Sequence, residues 1–302
     1  MPPHATTLSP IPMSDELVAP NTEDGKALMA ATPKNEPDLT VSTSRRLSLH
    51  QMLAITRERW LWNRRAESWD TEGSAGLTKI VDAVLKECER SAGGIAVDLG
   101  CGSGQLTIPL APSCSRVLAV DVSARVIALL EAKSAADAIE NIQAVVHPIE
   151  SLELASASVD LIVSNYALHH LRDKDKAEVM RRSYRWLRPG GRLVVGDMMF
   201  GRGADQIDRV IITRKVRGMI RRGPAGWWRL AKNIWRFSLR LGEKPLPVAK
   251  WVSLARQAGF VEIQTHRVVA EACVLSATKP PTSDAPNAAR PDSVPLHQRP
   301  GS

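Results

Sequence analysis

The chain has 302 residues, 44% of them apolar and 24% charged, with a formal net charge of +8, proportions ordinary for a globular protein of one large or two small domains. It has no unbroken apolar run of the roughly eighteen residues a membrane span needs, and its first thirty residues lack both a secretion-type apolar core and an Arg-rich transit bias. The four cysteines, Cys88, Cys101, Cys114 and Cys273, have no metal-like spacing, so a reduced, cytoplasmic and metal-free protein is expected. Residues 1–45 are rich in Pro, Ser, Thr and acids without any period, and 280–302 are similar; both are predicted to be disordered tails. Ser48 followed by Gln51 makes a capping box that opens a helix through "LHQMLAITRERWLWNRRAESWD". Leu77, Ile80, Val81, Val84, Leu85 and Cys88 then recur at steps of three and four, a second helix that Gly93 and Gly94 end. Residues 46–92 are thus expected to form an N-terminal helical lid.

From Gly94 onward the period changes. Short apolar runs at 94–100, 116–122, 142–147, 159–165 and 191–200 alternate with helical stretches, the pattern of a doubly wound parallel α/β sheet covered on both faces. The runs at 261–269 and 272–279 are too close for a crossover helix and are expected to pair as an antiparallel hairpin. Ligands of such sheets bind at the carboxyl ends of the strands. There the first strand carries "VDLGCGSGQLT" (97–107), with Gly100, Gly102 and Gly104 alternating behind Asp98. A phosphate-binding loop would require Gly-Lys-Ser/Thr, and Gln105 and Leu106 stand there instead. A dinucleotide fingerprint would be G-x-G-x-x-G, which is one residue longer. Asp98 would also repel a pyrophosphate; a cationic ligand suits it.

The pattern D-x-G-x-G-x-G resembles the first motif of the class I S-adenosylmethionine-dependent methyltransferases, and the resemblance continues down the chain. "VLAVDVS" (117–123) ends in Asp121, where that family places an acid on the ribose hydroxyls. "SVDLIVSNYALHHL" (158–171), "WLRPGGRLVVGD" (186–197) and "LARQAGFVEI" (254–263) resemble its later segments in the right order. The resemblance implies a Rossmann-like seven-stranded sheet with the last strand antiparallel over 93–279, and S-adenosylmethionine as cofactor. Asp98, Gly100, Gly102, Gly104 and Asp121 would hold it, with Asn165 beside its methionine portion. After the third strand the stretch "VVHPIESLEL" (145–154) has Pro148 or His147 where the family often has an acid. The adenine contact then falls to Ile149 or to Glu150. Acceptor contacts are expected from the ends of strands four and five, which hold Asn165, Tyr166, His169, His170 and Asp197. One of the adjacent histidines serves either as a base or as a helix-start residue bonded to backbone, and Tyr166 either contacts the acceptor or packs.

An insert at 201–248 separates the fifth strand from the next helix. Residues 201–240 hold nine Arg and two Lys against two Asp, a net of +9 where the whole chain has +8. Within it, "WWRLAKNIWRFSLRL" (227–241) reads as a basic amphipathic helix, a cap. Three uses suit it: a cover over the acceptor pocket, a peripheral contact with an anionic membrane, or a phosphate-binding surface for nucleic acid. Trp60, Trp62 and Trp69 of the first helix suit an apolar lid or that helix's core. The expected acceptor is a small, fairly hydrophobic molecule such as a quinone, polyketide or lipid. The alternatives are an RNA methyltransferase guided by the basic cap and a non-catalytic cofactor-binding scaffold.

Overall fold

A computed structural model describes residues 39–43, 47–71, 75–91, 93–201 and 244–281, with isolated positions at 209, 210, 213, 217 and 223. The chain divides into Met1–Pro37, which lies outside the described residues, and Asp38–Ser302. The expected 227–241 helix also lies outside them, as does nearly all of the insert.

Helix α1 runs over Leu49–Thr71 and α2 over Ala75–Cys88. The capping box at the start of α1 is formed: Gln51 N–H donates to Ser48 Oγ at 3.3 Å, and Ser48 N–H donates to Gln51 Oε1 at 3.0 Å. Strands β1 (Ile95–Leu99), β2 (Arg116–Asp121), β3 (Ile142–Val146), β4 (Val159–Asn165) and β5 (Leu187–Met198) are parallel. Between them lie α3 (Thr107–Leu110), α4 (Ala124–Ala136) and α5 (Asp173–Trp186); α6 (Val248–Ala258) precedes the hairpin of β6 (Val261–Val269) and β7 (Ala272–Thr278). The sheet order is β3-β2-β1-β4-β5-β7-β6. β7 is antiparallel to both of its neighbours, pairing Thr278 with Arg192 on one side and with Val261 on the other.

Alternation within each strand sends side chains to two cores. Ile95, Val97 and Leu99 of β1, with Leu193 and Val195 of β5, pack under Trp186 of α5 and Trp251 of α6. Ala96, Leu161, Val163, Val194 and Val274 face Ile80 and Val84 of α2 on the other side. Within the expected lid segment 46–92, α2 packs its apolar stripe against the strands as a layer on the sheet. The tail expected over 1–45 ends earlier. Leu39 is buried in the main core, and Ser42–Thr43 pair antiparallel with Leu152–Glu153. The alternation Leu39, Val41 is enough to place one short edge there.

β5 begins upstream of the run read at 191–200. Gly190 N–H donates to the Lys279 carbonyl at 2.9 Å and Lys279 N–H to the Gly191 carbonyl at 2.8 Å, so the glycine turn is held at the hairpin's end. Below α5, the buried Lys176 ammonium donates to the Leu171 and Lys244 carbonyls at 2.7 and 2.6 Å. This fixes where the chain returns from the insert.

Candidate active site

The strand order reverses between β1 and β4, and there the loops after the two strands part. A cleft of about 1000 Å³, counted with its open mouth, lies at this point and along the end of β2. Its floor is the run Gly100–Ser103 with Gln105 and Leu106; its sides are Asp121, Val122, Ile149, Glu150, Asn165, Tyr166 and Ala167. No lysine or arginine is among the described residues that line it.

The glycines divide the work of the loop. A Cβ on Gly100 would stand 2.3 Å from Ala167 Cβ, so the loops after β1 and β4 touch only because that atom is missing. On Gly102 it would meet nothing within 4 Å, since this residue opens on the cleft. Gly104 packs its missing side chain against Leu130 of α4. All three have positive φ, which side-chain-bearing residues rarely adopt.

Two carboxylates stand behind this loop. Asp98, 1% exposed, accepts a hydrogen bond from Thr107 Oγ1 at 2.7 Å through Oδ2. Its Oδ1 is buried with no partner among the described residues. Burial pushes the Asp98 carboxyl up to about 7; the Thr107 bond pulls the other way, and the charge of Asp121 adds to the rise. Asp121 ends β2 and ties the loop down, accepting from Gly102 N–H at 3.1 Å and Ser123 N–H at 2.9 Å. Burial raises its carboxyl as well, against those backbone bonds. Each of its oxygens retains a lone pair for a ligand hydroxyl.

Ile149 and Glu150 both line the cleft, on a turn that Arg182 fastens by donating to the Glu150 and Leu152 carbonyls at 3.0 Å each. Burial raises the Glu150 carboxyl. His147 and Pro148 are not among the lining residues; the His147 ring bonds Thr43 Oγ1 at 3.0 Å and the Pro148 carbonyl at 2.9 Å. Asn165 lines the cleft, and its buried Oδ1 has no partner among the described residues. Tyr166 also lines it, with φ at +50° and its N–H bonded to the Gly196 carbonyl at 2.8 Å. The ring rests on Met198 and Phe200, and burial pushes its phenol up to about 12.

The two histidines part company. His170 lines the cleft, with its ring edge-on to Trp62 at 5.3 Å between centroids. His169 is buried and is not among the lining residues; its Nδ1 is 2.6 Å from Asp197 Oδ1, and its N–H donates to Oδ2 at 2.9 Å. Asp197, fully buried, is occupied by this pair and by Met198 N–H, and does not reach the cleft. Of the residues expected to contact the acceptor, His169 and Asp197 are thus bonded to each other, through Nδ1 and the backbone N–H of the histidine, and are not among the described residues that line the cleft.

Helix α1 supplies the remaining wall through Ile55, Glu58 and Trp62, and α2 adds only Leu77. Bonds that seat α1 across the strand ends include Arg59 Nε to the Val122 carbonyl at 3.3 Å, Ser123 Oγ to Asn63 Oδ1 at 2.6 Å, and Gln51 Nε2 to Asp175 Oδ1 at 3.1 Å. Trp60 is exposed, with Arg64 over its ring at 4.8 Å. The Trp69 side chain lies outside the described residues. Glu58 is the lining carboxylate that sequence reasoning missed; the only signal was its place on one helical face with Ile55 and Trp62. Cys101 lines the loop, but burial raises its thiol well above the ordinary range, so it behaves as a small filler. Among the described residues no group of His, Cys, Asp or Glu is arranged to hold a metal.

An open α/β sheet with a glycine loop at its switch point, backed by two carboxylates, is a Rossmann-like arrangement, and its described lining offers no basic side chain to a phosphate. Residues 96–191 match the family described as a methyltransferase domain. Over 158 residues the chain is 28% identical to phosphoethanolamine N-methyltransferase 1 of Triticum aestivum, covering 52% of this chain and 30% of that protein. Over 165 residues it is 28% identical to an uncharacterized methyltransferase of Geobacillus kaustophilus, covering 53% and 73%. The chain thus spans less than a third of the first relative. In fold it is similar to the 1,6-didemethyltoxoflavin-N1-methyltransferase of Burkholderia thailandensis, with a TM-score of 0.53, 18% identity, and coverage of 80% of this chain and 95% of that one. Residues 96–191 thus match a methyltransferase domain, set in a fold similar to that of a methyltransferase solved with S-adenosylhomocysteine.

Proposed function

We propose that the protein transfers a methyl group from S-adenosylmethionine to a small acceptor with a largely apolar body, of the quinone, polyketide or lipid-like kind. The observation that carries this reading is the pair Asp98 and Asp121 behind an open Gly102. A buried carboxylate oxygen without a partner, beside a loop that leaves room for a ligand, fits a cofactor with cationic groups and no phosphate. Asp98 Oδ1 would take the ammonium, Asp121 the ribose hydroxyls, Ile149 and Glu150 the adenine, and Asn165 the methionine portion. Bound there, the cofactor supplies a methyl carbon made electrophilic by its sulfonium.

The chain's own contribution is then positioning and, for a protic acceptor, removal of a proton. Ile55 and Trp62 offer an apolar wall, Tyr166 a phenol that stays protonated, and His170 an imidazole at the same opening. Among the described residues no helix is long and apolar enough to cross a membrane. A peripheral membrane contact through 227–241 remains part of the proposal on the strength of its composition alone.

The test supplies methyl-labelled S-adenosylmethionine and the purified protein to a host extract, then separates organic-soluble, aqueous, RNA and protein fractions. Label in the organic fraction, lost with Asp98→Ala, is the expected outcome. Label in RNA would overturn the acceptor class. Cofactor binding without transfer to any fraction would favour a non-catalytic scaffold.

A further inference from the structure

Among the described residues four carboxylates line the cleft, at Glu58, Asp98, Asp121 and Glu150, and the cofactor reading employs three of them. Glu58 is left over. It comes from α1 and lies on the wall shared with Trp62 and His170. Its Oε2 is buried, has no hydrogen-bond partner among the described residues, and stands 3.9 Å from His170 Nδ1. A buried carboxylate oxygen without a donor costs free energy that a ligand donor would recover. The nearby cation Lys244 does not meet this need: it is not among the lining residues, and its ammonium donates to the His170 carbonyl at 2.9 Å.

We propose that Glu58 selects the acceptor, taking a hydrogen bond from a protic head group, O–H or N–H, carried on an apolar body that rests against Trp62 and Ile55. This rests on the functional reading above and narrows it. An acceptor whose reacting end is a carboxylate or phosphate meets a carboxylate at this wall and is rejected; a hydroxyl or an amine is held beside His170. Like charges brought together in a partly desolvated site repel strongly enough to discriminate. Apolar burial against the tryptophan supplies affinity without distinguishing heads.

Three probes on one aromatic body separate the possibilities: 2-naphthol, 2-naphthylmethylamine and 2-naphthoate, each titrated calorimetrically into full-length protein saturated with S-adenosylhomocysteine. The wild type is expected to bind naphthol or the amine at least about tenfold more tightly than naphthoate, the scale of one charge-assisted hydrogen bond. Glu58→Ala should bring the three within about threefold of one another. Glu58→Gln then identifies the head: it keeps naphthol binding but loses the amine's advantage, because the amide accepts a hydrogen bond without bearing charge. Naphthoate binding most tightly, a head-group preference unchanged in Glu58→Ala, or no probe binding at all would overturn the proposal. S-adenosylhomocysteine is titrated alone into wild type and variants first. Its failure to bind the wild type would sink the cofactor reading itself, whereas normal binding with a charge-blind acceptor wall sinks only the role of Glu58.

Discussion

The Nδ1 atom of His169 lies 2.6 Å from Asp197 Oδ1, and the backbone N–H of the same histidine donates to the other oxygen of that carboxylate at 2.9 Å. Both contacts join the turn after β4 to the end of β5. They make His169 a fastener between two adjacent strand ends, while His170, one residue on, lines the cleft. Replacing Asp197 by Ala strands three buried donors, counting Met198 N–H. Each buried group left without a partner costs about 1–3 kcal/mol. Thermal or urea unfolding should therefore register a loss of several degrees or more for Asp197→Ala and a smaller one for His169→Ala. His170→Gln should leave the midpoint nearly unchanged and lower turnover. Equal midpoints for the 169 and 170 variants would contradict this division.

Asp98 links pH to both stability and cofactor affinity. Its carboxyl sits near 7 when folded and near 3.8 when exposed, burial being the main cause. Between those values the folded chain retains a proton that the unfolded chain has lost, so stability falls as pH rises from about 4 to 7 and then levels. Asp98→Asn removes that component. A cationic ligand group favours the ionised form. The affinity for S-adenosylhomocysteine should thus weaken below pH 7 by up to about tenfold per unit in the wild type, and stay flat in the Asn variant. Calorimetry from pH 5.5 to 8.5 reads both.

Alanine at the two loop glycines should fail for different reasons. At Gly100 the new Cβ runs into Ala167, so the loop must move and the fold suffers along with binding. At Gly102 there is room, and the left-handed backbone costs only about 1–2 kcal/mol. The added methyl there intrudes into the cleft. Gly102→Ala is expected to fold with a modest drop in melting temperature while losing most cofactor affinity; an unimpaired affinity would place the ligand elsewhere.

Tyr166 should act as a hydrogen-bond donor and not as a base. With its phenol pushed up to about 12 by burial, it keeps its proton throughout the usable pH range. Tyr166→Phe retains the packing on Met198 and Phe200. Any loss of activity is expected in KM, with the pH profile of kcat unchanged. A shift in that profile would return the base role to Tyr166.

Much of this protein is written locally. The capping box at Ser48 and Gln51 and the apolar alternation of Ile95, Val97 and Leu99 involve neighbours a few residues apart, so their periods and types announce them before any folding. The spacing of Gly100, Gly102 and Gly104 behind Asp98 belongs to the same class in one respect, since all three share a positive φ that glycine adopts readily. The start of β5 escapes the local pattern because Gly190 and Gly191 bond to Lys279, nearly ninety residues away, and a turn-like pair gives no local sign of that partner.

The choice between His169 and His170 is of the other kind. Their chemistry is identical in sequence; only the approach of Asp197 from β5 buries one and leaves the other at the cleft. Glu58 likewise looks like one more charge on a mixed helix until Gln51, Arg59 and Asn63 seat α1 on Asp175, Val122 and Ser123. Local periodicity determines which elements form and which loop meets the ligand. Long-range bonds that orient whole elements decide which side chains share that ligand's cavity, because side chains distant in the chain become neighbours only when their elements dock.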